Sequence, residues 1–182
     1  MTVCRRTALL SIAVLMSLFC AACSHRAPHY FSYLDTPAEA QLSGTLGEVD
    51  FTARLTSGGR AAVAGALPLG CDFSLTYHSP TALAGVRVDY AAATGEITVS
   101  LGSLKAQGTS GREAYAALAA PGVLLLTESA VQSTTAQSDG SHLIVTADGA
   151  RRLLSADGTP ISLTQTADGR RVAVEVVSME RR

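Results

Sequence analysis

From Ala40 onward, apolar and polar residues alternate with period two, the pattern of strands that bury one face and wet the other. Leu42, Thr45 and Leu46 lead into a turn at Gly47-Glu48, after which Val49, Phe51, Ala53 and Leu55 alternate with Asp50, Thr52 and Arg54. Phe73, Leu75 and Tyr77 alternate with Asp72, Ser74 and Thr76; Val86, Val88 and Tyr90 with Arg87 and Asp89; Ile97, Val99 and Leu101 with Glu96, Thr98 and Ser100. In the last third, four Asp-Gly pairs (139-140, 148-149, 157-158 and 168-169) separate strand-like runs over 142–146, 151–155, 161–165 and 171–178. Asp-Gly supplies the positive φ of tight hairpin turns, so this region reads as a meander. Calcium loops are the rival reading, but each turn offers a single acid where calcium wants several converging oxygens.

Gly111 to Val131 breaks the alternation. It is rich in alanine and leucine and predicts a helical insertion in one or two pieces, with Pro121 ending the first. Its apolar mass is Leu118, Val123, Leu124, Leu125 and Leu126, a run too short to span a bilayer and expected on the inner face of the sheet.

The chain opens on a secretory signal. Arg5 and Arg6 precede an apolar run, Ala8 to Phe19, shorter than a membrane span, and then Cys20-Ala21-Ala22-Cys23. Small residues before a cysteine resemble the bacterial lipobox, with Cys20 in place of the usual Leu; the resemblance implies cleavage after residue 22 and a lipid-bearing Cys23. The residue after the anchor is Ser24 rather than Asp, which by resemblance to enterobacterial sorting permits delivery to an outer membrane in a host that has one. The expected organisation is a signal over 1–22, a lipidated cysteine and tether over 23–37, and one domain over 38–180. Tyr30, Phe31 and Tyr33 are unusual in a tether; they either pack on the domain edge, the favoured reading, or sit at headgroup level.

Composition narrows the function. Of 14 basic residues Arg5 and Arg6 leave with the signal, so 12 face 15 acids, which argues against nucleic acid and against a polybasic membrane patch. Of four cysteines, Cys4 and Cys20 are removed and Cys23 is acylated; the remaining Cys71 reads as a small buried hydrophobe. His25, His29, His78 and His142 are scattered and the acids dispersed, and no serine-hydrolase elbow, zinc motif or P-loop occurs. No cofactor and no enzymatic activity are expected; a hydrolase with a site assembled from separated strands is the minority class.

The stretch Leu75-Thr76-Tyr77-His78-Ser79-Pro80-Thr81-Ala82-Leu83-Ala84-Gly85-Val86, the Ala/Leu-rich helix and the turn Asp157-Gly158-Thr159-Pro160, placed behind a lipobox, resemble the LolA/LolB/LppX-type lipoprotein superfamily, including small lipoproteins of spore-forming bacteria. The likeness runs from about Ala38 to Met179. It implies a β-rich α+β fold, a strongly curved antiparallel sheet forming an open half-barrel with a short helical insertion on its concave face. It further implies an apolar concave surface, here Phe73, Leu75 and Tyr77 with Leu118 and Val123 to Leu126, that takes a lipid acyl chain or an envelope protein partner. An arginine that some carriers hold inside the cavity has no motif-level match. The expected function is therefore a lipid-anchored extracytoplasmic binding protein, and the rival is a structural or envelope-assembly lipoprotein with a filled core and no ligand.

Overall fold

The computed structural model describes residues 30–60, 70–109, 116–167 and 170–182. The signal 1–22, Cys23 and the tether to residue 29, the start of the expected helix at 111–115 and the Asp168-Gly169 turn lie outside the described residues.

The alternating runs become strands β1 (Ala38–Leu46), β2 (Val49–Ser57), β3 (Phe73–Ser79), β4 (Arg87–Ala91) and β5 (Glu96–Leu101), and a further strand, β6 (Leu104–Thr109), pairs beyond β5. A helix, α1 (Ala116–Leu126), follows. Then come β7 (Val131–Ala136), β8 (His142–Thr146), β9 (Arg151–Leu154), β10 (Pro160–Ala167) and β11 (Arg170–Arg181). All pair antiparallel in one sheet of order β6-β5-β4-β3-β2-β1-β11-β10-β9-β8-β7. Each half of the chain is a meander, and the halves meet where β1 pairs with β11. β6 and β7 are the free edges.

The sheet is curved, as the half-barrel expectation required. Helix α1 touches β3 and β4 on one side and β10 and β11 on the other. β4 and β10 stand five places apart in the sheet, roughly 24 Å if it were flat. A helix is only about 10–12 Å across and, at this length, about 16 Å long. One helix reaches both only if the strands wrap around it.

The inward residues of the strands form the core: Leu42, Phe51, Leu55, Leu75, Tyr77, Val88, Ile97, Ile144, Leu163 and Val174, closed by Leu124, Leu125 and Leu126 of α1. Phe31, Tyr33 and Leu34 pack into the same core, so those rings lie in the domain rather than at headgroup level. Cys71 is buried too, its thiol donating to Leu34 O at 3.4 Å, and burial pushes that thiol above its ordinary pKa.

The three described Asp-Gly turns are built alike. Residues 137–141, 146–150 and 155–159 each close with a backbone bond from the first residue to the fifth carbonyl, and Gly140, Gly149 and Gly158 have φ of 84°, 78° and 80°. Asp139, Asp148 and Asp157 each accept the amide of the residue two positions on and a neighbouring hydroxyl from Ser141, Thr146 or Ser155. The carboxylates fix turns, as read from the sequence. These bonds hold Asp157 down at about 2 and lower Asp139 as well.

Pro121 does not end a first helix. α1 runs through it as one piece, and Pro121 and Gly122 are buried. A Cβ on Gly122 would lie 2.4 Å from the Phe73 ring, so helix and sheet meet here at backbone distance. That packing outweighs the proline's local cost.

Candidate functional site

The concave face is defined by how α1 is held on it. No residue of α1 is polar (Ala-Ala-Leu-Ala-Ala-Pro-Gly-Val-Leu-Leu-Leu), so the helix is apolar on every side. Such a helix belongs inside a protein or against another apolar body. Its inward side is fully packed: Leu124, Leu125 and Leu126 are 3, 0 and 1 % exposed. Surfaces with that little exposure border no space wide enough for a water. Leu118, two turns before Leu125 on the same side, and Val123 are only partly covered.

Of the residues expected on an apolar face, Phe73, Leu75 and Tyr77 lie buried on the inner side of β3, and Leu124 to Leu126 pack in the same core. Leu118 and Val123 sit at its margin. The structure therefore brings all eight into one neighbourhood, with α1 laid over the sheet.

Three side chains from the sheet and the N-terminal segment bond the helix backbone. Tyr77 Oη donates to Leu118 O at 2.7 Å and Tyr33 Oη to Leu125 O at 2.8 Å. Arg152, on β9, is 1 % exposed. Its Nη1 donates to Leu124 O and its Nη2 to Thr127 O at 3.0 Å, while the guanidinium carbon lies 5.3 Å from the centre of the Phe31 ring. The last carbonyls of a helix have no intrahelical donor and carry partial negative charge, so a cation is favoured there. Arg152 is that cation. A second arginine, Arg60, binds Glu128 just past the helix at 2.5 Å and Phe31 O at 3.3 Å, fastening the same corner from outside.

No motif picks out Arg152, yet the strand period does. Leu154 faces the core, so Arg152, two residues earlier, shares its side of β9. An arginine in register with core positions is the one signal that could have found it.

Burial raises the Tyr33 phenol to about 12, with Arg152 pulling in the opposite direction. Its folded pKa thus lies above its unfolded value of about 10. The contribution of Tyr33 is complete below that unfolded value and drains away as pH climbs through the folded one. We expect the urea midpoint of the wild-type chain to fall between about pH 10 and 12, and to fall less steeply in Tyr33→Phe. An identical alkaline slope in the variant would refute the assignment.

No family model matches the chain, and no curated protein matches its sequence. Solved structures do. A conserved protein from Thermus thermophilus aligns over 84 % of this chain and 83 % of its own, at 16 % identity and a TM-score of 0.50. The half-barrel implied by the LolA resemblance is the fold observed. A LolA superfamily protein from Nitrosomonas europaea covers 82 % of this chain and 87 % of its own at 8 % identity, TM-score 0.40. A DUF1329 family protein from Desulfovibrio piger covers 83 % and 88 % at 10 % identity, TM-score 0.42. At 16 % identity the likeness to the Thermus thermophilus protein is one of fold.

Proposed function

We propose that this chain is a lipid-anchored extracytoplasmic binding protein that takes an apolar ligand, a lipid acyl chain or the apolar segment of an envelope partner, on the concave side of its sheet. The observation that carries the reading is α1 itself: a helix without a polar side chain on any side, laid in an open half-barrel, with Leu118 and Val123 only partly covered. Its docking bonds run from Tyr33, Tyr77 and Arg152 to backbone carbonyls. An acyl chain competes with the helix for the same apolar surface, and those bonds set what it must outcompete. A domain tied to a bilayer does not shuttle; it receives, holds or presents.

The anchor is tested first. Cys23→Ala is expected to move the chain from the membrane to the soluble fraction and to abolish palmitate labelling; a variant still fully membrane-bound sinks the anchor. Binding is tested by titrating a fluorescent fatty acid into the Cys23→Ala chain and by native mass spectrometry for carried lipid. The expected result is saturable binding, strengthened several-fold in Arg152→Met, where the helix is held less firmly. A bare mass and no saturable signal in either chain would overturn the reading.

Such a result would favour the second reading, a structural or assembly module. The observation on its side is the dry packing of Leu125 and Leu126 against the sheet.

A further inference from the structure

The outer face of the C-terminal half carries a groove that the concave site does not use. Leu163 faces the core, so its neighbours Ser162 and Thr164, and Thr166 beyond, point outward from β10. All three are short. Longer side chains stand on both sides, because Arg151 of β9 lies directly across from Thr164 and Arg171 of β11 directly across from Thr166. A row of hydroxyls is thus walled by two arginines from opposite flanks. Two adjoining clefts occupy the trough, about 400 Å³ and about 410 Å³, and both are lined by Arg151, Thr164 and Arg171. The second extends over Leu143 and Leu153. Ligand sites begin at about 300 Å³.

The charge state of this trough sets it apart. Arg54, Arg60, Arg87 and Arg182 pair with carboxylates, Arg152 with helix carbonyls and Arg181 with Thr159 Oγ1. Among the described residues, the guanidiniums of Arg151 and Arg171 have no hydrogen-bond or ion-pair partner, and neither has that of Arg170 beside them. Asp148 is spent on the 146–150 turn, and Glu175, across from Ser162 on the same face, lines neither cleft. Unpaired guanidiniums converge on a polar floor in a chain whose net charge is negative.

We propose that this groove is a binding site for a phosphate-bearing ligand. The two planar guanidiniums hold phosphate oxygens from either side, the geometry at which arginine excels. The Thr164 hydroxyl supplies a donor between them, and Leu143 and Leu153 seat the carbon portion of the ligand.

The test uses the Cys23→Ala chain, so that the lipid anchor does not itself bind vesicles. Arginine side-chain NMR signals are followed as inorganic phosphate is added, and sedimentation is measured with phosphatidylcholine vesicles with and without phosphatidylglycerol. Saturable shifts at Arg151 and Arg171 are expected, weakened about tenfold or more in R151Q and in R171Q, and unchanged in R54Q. Phosphate binding together with pelleting on the anionic vesicles identifies a lipid headgroup; phosphate binding without pelleting identifies a soluble phosphorylated compound. No binding of phosphate, or equal binding by the R151Q/R171Q double variant, overturns the site. The groove lies on the opposite face from α1, so the fatty-acid titration and this one succeed or fail separately.

Discussion

Arg152→Ala is expected to cost about 4 kcal/mol of stability, the sum of a truncated buried side chain and helix carbonyls left without a donor. The buried guanidinium serves the buried Leu124 O and the part-buried Thr127 O and lies against the buried Phe31 ring. Losing it removes charge-assisted bonds that solvent cannot replace. For a domain of this size the melting temperature should drop by roughly 10 °C. Arg152→Met, which keeps most of the volume, should recover part of the loss and not the carbonyl bonds. Hydrogen exchange locates the damage: amides of α1 and of the 127–130 segment should exchange faster while β1 and β2 stay protected. A loss under about 1 kcal/mol would show that the arginine is a passenger.

Gly44→Ala is expected to be nearly as severe, about 3 kcal/mol, for a different reason. A Cβ there would lie 2.0 Å from Ala173 O and 3.1 Å from the Phe51 ring. The first obstacle is backbone, so no rotamer relieves it. Gly44 sits on β1 where it pairs with Val174 of β11 and Phe51 of β2. The variant therefore wedges apart the seam between the two halves of the sheet. Urea unfolding should show the loss with both halves destabilised together; a melting temperature within about 2 °C of wild type would mean the seam yields freely.

Most strands were legible because they obey a one-sided burial rule. Phe51 to Leu55 and Phe73 to Tyr77 alternate in sequence and in burial, while in the last third, where His142 to Thr146 carries three apolar residues in a row, the Asp-Gly pairs mark the strand ends instead. β6 and β7 were not legible for a physical reason. They are the edges of the sheet, described residues of β7 are exposed throughout, and a strand with no buried face leaves no alternation to read. The helix was legible in composition but not in its unity, since proline's local penalty was settled by contact with Phe73 rather than by neighbours in sequence. Arg152 and Arg60 escaped because their partners are main-chain carbonyls or distant acids. Sequence spacing says nothing of a bond from residue 152 to Leu124 O or from Arg60 to Glu128. The arginine pair of the outer groove is invisible for a related cause, as Arg151 and Arg171 become neighbours only through the register of β10 between them.

The placement of β1 beside β11 bears on how the chain reaches its folded form. The first and last strands make the middle of the sheet, with Glu39 and Arg182 bonded across 143 positions. That contact cannot close until every other strand has been delivered, and it alone carries the entropy of closing a loop that spans nearly the whole domain, while the other ladders join strands adjacent in sequence. Until the final twelve residues of β11 arrive, β1 and β10 each present a naked ladder of amides and carbonyls. A nascent chain cut short before them has two sticky flanks where the finished protein has a seam.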